Sequence, residues 1–111
     1  GDSYLNSLIS ADDNIDVHVA NVSFEPGCRN NWHVHHNGYQ LLLVTAGEGW
    51  YQEFGKPAQK LHPGDAVAIH EGVKHWHGAT KDSWFSHIAI TKGSSEWLEE
   101  VSDVDYAKLA D

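Results

Sequence analysis

Between residues 17 and 90 the chain is cut into short apolar or alternating runs by turn signals at close intervals. The runs are Val17–Phe24, Gln40–Thr45, Gly49–Phe54, Ala66–Ile69 and Trp84–Ile90, and the signals between them include "EPG", "NG", "GEG", "FGKP", "HPGD" and "HEG". Short runs spaced this way predict antiparallel strands in a sandwich or barrel. In "AVAI", small Ala66 and Ala68 alternate with larger Val67 and Ile69, which gives a strand two different faces. Trp50 and Tyr51 are neighbours, so on a strand they point to opposite sides. Helical signals come only at the end. "SSEWLEE" and "SDVDYAKL" each open on serine followed by acidic residues, a helix-start pattern. Short C-terminal helices there would let Trp97, Leu98, Val101, Tyr106 and Leu109 cover one end of the barrel. No linker, repeat or low-complexity segment interrupts the pattern, so residues 1–111 read as a single all-β domain.

Composition narrows the function classes. The 111 residues carry a formal charge of −9, with 16 acidic against 7 basic side chains. No basic patch is available to displace counterions, which argues against nucleic acid and against anionic membranes. Cys28 is the lone cysteine, so no internal disulfide forms, and a reducing, cytoplasmic setting is the simpler expectation. With no base beside it in sequence, Cys28 reads as an inert thiol. Leu41–Val44, the longest aliphatic run, is too short to span a bilayer. Trp32, Trp50, Trp76 and Trp84 can line a pocket or fill the barrel, with packing the expectation for most of them, and the acidic residues from Glu96 to Asp105 read as a solvated face.

The histidines change the picture. Nine are present, and seven of them fall in two clusters: "HVHH" at 33–36, and "HEGVKHWH" at 70–77 with His87 nearby. His33 and His35 are two apart and share one face of a strand. Two adjacent imidazoles are ready ligands for a divalent metal. Gln40 follows the "HNG" signal, where a turn can reset its parity onto the same face. His75 and His77 repeat the two-residue spacing. His36 points the other way, and His18, His62 and His70 sit at turn signals and read as solvated. His87 lies within the apolar "WFSHIAI", where a histidine needs a partner.

The spacing itself resembles the two signature motifs of the cupin superfamily. Gly27, His33, His35, Gln40 and Gly47 fit the first; Gly64, His70, Gly72 and His75 fit the second. The departures are Gln40 where the motif usually has Glu, His70 where it has Pro, and Ala79 where it has Asn. The resemblance covers Val22 to about Ile90 and implies a double-stranded β-helix, or jelly-roll barrel. The stretches "VSFEPGCRNNWHVHHNGYQLLLVTAGEGW", "HPGDAV", "KHWHGA" and "SHIAI" are similar to a bacterial group of small cupins. That group includes the cupin-type hydroxynitrile lyases and relatives of carboxymuconolactone decarboxylase-associated domains.

The resemblance implies His33, His35, Gln40 and His75 as ligands of one divalent metal, and His77 and His87 as catalytic neighbours. This chain has one residue more between His35 and Gln40 than the lyases have. A nitrogen-rich donor set suits Mn, Fe, Zn, Ni or Cu and not Ca or Mg. The expected function is a metal-dependent, lyase-like enzyme on a small organic molecule, using Lewis-acid activation and a histidine proton shuttle. Dioxygen chemistry fits if the metal is Fe, Mn or Cu. The alternative is a non-catalytic metal-bearing module that binds a small molecule or sugar. A homodimer is also expected, with the run Val17–Val22 as candidate edge strand.

Overall fold

The computed structural model describes residues 2–12 and 14–109. Eight strands and one short helix follow in order: β1 Ser3–Ile9, β2 His18–Phe24, β3 His33–Gly47, β4 Gly49–Glu53, β5 Gln59–Leu61, β6 Ala66–Ile69, β7 His75–Ala79, β8 Phe85–Trp97 and α1 Asp103–Ala107. All strand pairs are antiparallel, in the order β1-β2-β8-β3-β7-β4-β5, with β6 also paired to β3. The curled sheet closes around an apolar core of Phe24, Leu42, Val44, Tyr51, Leu61, Ile69, Ala79, Phe85 and Ala89. The turn spacing predicts an antiparallel sandwich or barrel, and the family resemblance implies this jelly-roll architecture.

The alternation read from the sequence holds. Tyr51 joins the main core, while Trp50 faces the other way into a second cluster with Trp76 and Val101. Ile69 is buried and Val67 packs on the core, whereas Ala66 and Ala68 are exposed. Tyr106 and Leu109 pack against the second cluster, so the C-terminal tail does cover that end. Arg29 latches it, donating to the Val101 carbonyl at 2.9 Å and lying 4.3 Å over the Tyr106 ring.

Three expectations are corrected. "SSEWLEE" does not open a helix: residues 94–97 continue β8, because Val34, His35 and His36 of β3 pair with them and offer their backbone groups. Only "SDVDYAKL" forms a helix, capped by Ser102, whose Oγ accepts from the Asp105 amide. Consequently Trp97 sits on a strand, 59% exposed, and not over the barrel end. The run Val17–Val22 is not an edge, because β2 lies between β1 and β8; the edge on that side is β1, which the pattern did not reveal, and β5 ends the order on the other side.

One irregularity places the site. β3 pairs with β8 along its whole length, but between His36↔Ser94 and Tyr39↔Lys92 two residues, Asn37 and Gly38, oppose the single Gly93. This is a β-bulge, with Asn37 at φ 61° and Gly93 at φ 90°. It changes which parity faces inward. His33 and His35 are buried before it; Gln40, Leu42 and Val44 are buried after it. The reset expected from a turn is thus made by a bulge inside one continuous strand.

Gly38 leaves no room for a side chain, since a Cβ there would meet the Lys92 carbonyl oxygen at 2.0 Å. Gly38→Ala should therefore destabilise the protein by about 1–3 kcal/mol, as overpacking does. Urea denaturation of the two proteins checks this.

Candidate metal centre and its cavity

Each functional side chain is placed by strand parity. His33 and His35 come from the first half of β3, and His75 from β7, paired directly with His33. One ring nitrogen from each lies within 4.8 Å of the others, and all three residues are buried. Gln40 reaches the same spot from beyond the bulge, with Oε1 3.1 Å from His35 Nε2. His77 follows His75 on the same face of β7, while Trp76 between them points into the second cluster.

The hydrogen bonds settle which nitrogens face the centre. His33 Nδ1 donates to the Asn31 carbonyl at 2.8 Å, and His75 Nδ1 to the Val73 carbonyl at 2.9 Å. A carbonyl only accepts, so both Nδ1 atoms carry the proton and both Nε2 atoms are bare lone pairs. His75 Nε2 has no hydrogen-bond partner although it is buried. His35 is held by the Ser95 hydroxyl, 3.0 Å from Nδ1. Its Nε2 and the Gln40 oxygen would be two acceptors in contact unless a proton or a cation lies between them. Orphaned, convergent lone pairs beside an amide oxygen fit a divalent transition metal.

Burial keeps these rings neutral. It pushes His33 down to about 3, assisted by the like charge of His75, and it pushes His75 down to about 4. Burial also lowers His35, partly offset by its bond to Gln40. Neutral imidazole is the form that binds metal. The three histidines are therefore positioned to bind a metal ion.

A cavity of about 470 Å³ opens onto this cluster. Its wall is the even residues of β2 (Ala20, Val22, Phe24) and the odd residues of β8 (His87, Ala89, Thr91), with Leu5 of β1 and Trp97 at the rim. His77 and His87 lie in this wall, with His87 Nε2 3.2 Å from His77 Nδ1. Burial holds His87 down at about 4, and burial together with the neighbouring His87 drives His77 well below its ordinary value. Both are bases at neutral pH, sharing one hydrogen bond.

Five of the six residues picked out from the sequence, His33, His35, Gln40, His77 and His87, thus line one cavity, and His75 joins them through its cluster with His33 and His35. His36 is exposed, paired with Glu96 at 2.8 Å, and His62 and His70 are exposed too, as expected. His18 differs: it lines the cavity mouth and shares a 2.9 Å hydrogen bond with Ser7 Oγ. Asn30, Thr91, Ser95 and Trp97 were not singled out as site residues. Asn30 Oδ1 accepts from the His77 amide at 3.0 Å, and its amide nitrogen lies 3.3 Å from His77 Nε2. The Trp97 ring lies 4.4 Å from that of His33. Only the β3–β8 register would have found the last three.

Comparison with known proteins agrees. The Cupin domain family matches residues 20–90, and the chain belongs to this family. It is 42% identical over 108 residues to an (R)-mandelonitrile lyase of Granulicella tundricola, covering 94% of this chain and 82% of the relative. A cupin-like protein of Thermotoga maritima, of solved structure, is also 42% identical, with a TM-score of 0.92 and coverage of 97% of this chain and 84% of that one. A double-stranded β-helix protein from Klebsiella pneumoniae shares the fold at 19% identity, TM-score 0.78, over 90% of this chain and 82% of that one.

Acid should unfold the metal-free protein through these rings. Their folded pKa values lie below the unfolded value of about 6.5, so the unfolded chain binds protons first and stability falls as pH drops. His33, His75 and His87 set the window from about 6.5 down to about 4 and 3. Each contributes at most about 1.4 kcal/mol per pH unit there. Thermal midpoints of the metal-free protein between pH 8 and 4 test this; a flat profile below pH 6.5 contradicts the neutral, buried assignment.

Proposed function

We propose that this protein is a metal-dependent lyase for a small, largely apolar hydroxy compound. His33, His35, His75 and Gln40 hold one divalent transition metal, and His77 and His87 move the proton. The observation that carries this reading is the convergence of three buried imidazoles, two of them with bare Nε2 lone pairs, beside an apolar-walled cavity that holds a second buried histidine pair. The similarity to a mandelonitrile lyase supports the same chemistry.

A bound divalent ion supplies Lewis acidity at a hydroxyl or carbonyl oxygen. Three imidazoles and an amide leave its charge uncompensated, which favours an oxyanion or cyanide nearby. Zn, Mn, Fe, Ni and Cu suit these donors. Ala20, Val22, Phe24 and Ala89 take the organic part of the substrate and exclude water from it. For an α-hydroxynitrile, His77 accepts the hydroxyl proton as the carbon–carbon bond to the nitrile breaks and a carbonyl forms. The electron pair leaves with cyanide, which takes the proton back from the imidazolium to give hydrogen cyanide. His87, 3.2 Å away, shares the transient proton, and Asn30 fixes the His77 ring. No external oxidant or acid is consumed.

A homodimer through β1 accompanies this reading. β1 is a sheet edge, and it exposes Tyr4, Leu5, Leu8 and Ile9. A second copy would cover both the free backbone edge and these side chains.

Two measurements test the function. Elemental analysis should find one equivalent of transition metal in the wild type and almost none in His33→Ala/His75→Ala. His77→Ala and His87→Ala should keep the metal but lose about 10²–10⁴ in kcat for cleavage of an aromatic cyanohydrin. A wild type that stays empty after reconstitution, or variants that keep full activity, overturns the proposal.

A further inference from the structure

A carboxamide poses a problem that a carboxylate does not. Either oxygen of a Glu can face a metal, but only one end of a Gln can. The amide nitrogen has no free lone pair and presents two N–H groups, which a cation repels. Gln40 stands where the family motif usually has Glu, so something in this chain has to choose the end.

Thr91 is placed to choose. It is the direct cross-strand partner of Gln40 in the β3–β8 ladder, so the backbone fixes their separation. Gln40 Nε2 donates to Thr91 Oγ1 at 2.9 Å, while Oε1 lies on the opposite side, 3.1 Å from His35 Nε2. The contact is partly buried, and Thr91 lines the cavity beside the cluster. An inverted amide would aim its N–H groups at the bare lone pairs of the histidines and lose the oxygen donor.

The same strand repeats the arrangement. Ser95 is the cross-strand partner of His35 and holds its Nδ1, and Trp97 is the partner of His33 and covers its ring. Each donor on β3 therefore meets its supporting side chain directly across the ladder on β8.

We propose that Thr91 is a positioning residue, whose hydroxyl anchors the Gln40 amide nitrogen and so turns Oε1 toward the bound metal. The inference rests on Gln40 being a ligand, as proposed above. Loss of the hydroxyl leaves a buried N–H unpaired and the amide free to turn.

The test is metal affinity of the metal-free protein, by Zn²⁺ or Mn²⁺ titration against a chelating dye. Thr91→Val should weaken binding about 10–100-fold, the usual effect of losing a partner behind a ligand. Thr91→Ser keeps the hydroxyl and should stay near wild type. In a Gln40→Glu background the two oxygens are equivalent, so adding Thr91→Val should change affinity little. Circular dichroism and the thermal midpoint of each metal-free variant separate misfolding from weak binding. Equal affinity of wild type and Thr91→Val overturns the inference. So does an equal loss in the Gln40 and Glu backgrounds, which would make Thr91 a packing residue only. A wild type that binds no metal overturns the metal reading as well. Tight metal binding that Gln40→Ala leaves unchanged overturns only the place of Gln40, and with it that of Thr91.

Discussion

Pairing of β3 with β8 is the constraint on which the rest depends, because it fixes both what faces inward and what stands behind it. β3 is 15 residues long and serves two purposes along its length. Its second half, with Leu42 and Val44, belongs to the apolar core; its first half presents His33 and His35 to the cavity. A regular strand cannot put 33, 35, 40, 42 and 44 on one face, since odd and even positions alternate. The bulge at Asn37–Gly38 resolves the conflict with one extra residue. Without it, either the core or the histidines would turn to solvent.

That geometry also explains how an acidic protein builds a site without a carboxylate among its donors. The formal charge is −9, yet the groups around the cluster are imidazoles, an amide and hydroxyls. Backbone carbonyls of Asn31 and Val73 accept hydrogen bonds from Nδ1 and so fix the tautomer from outside the cluster, while burial keeps the rings neutral and the lone pairs converge inside it. Unpaired buried lone pairs cost stability when nothing binds them. A cation removes that cost. The cluster thus stores, in the metal-free fold, part of the free energy that favours occupancy.

Much of this was legible in the sequence, and the reasons for the rest are physical. β2, the second half of β3, β4, β6 and the first part of β8 follow from turn residues at short spacing, and the histidine ligand candidates from residues two apart, whereas the three-residue β5 gives no run long enough to read. β1 was missed because it is exposed along its whole length, so neither face shows burial alternation. The C-terminal end of β8 was taken for a helix because Ser followed by acidic residues is a local signal, whereas strand pairing with β3 is a tertiary one that overrides it. Thr91 and Ser95 carry no sequence signal of their own. Only the register, set by the bulge, brings them opposite Gln40 and His35.

The two histidine groups differ in what surrounds them, and this supports the separate roles proposed for them. His33, His35 and His75 each have one nitrogen engaged outward and one facing the shared centre, the arrangement of ligands. His77 and His87 are instead bonded to each other, and His87 Nδ1 has no partner. Phe24 packs against both rings, with centroids 5.8 and 5.9 Å away, and both histidines are buried. A base in such a place holds a proton only while a nearby negative charge balances it. In the lyase reaction proposed above, the oxyanion or leaving anion would supply that charge during turnover and not before, so the pair would be neutral at rest and take a proton only when the reaction releases one.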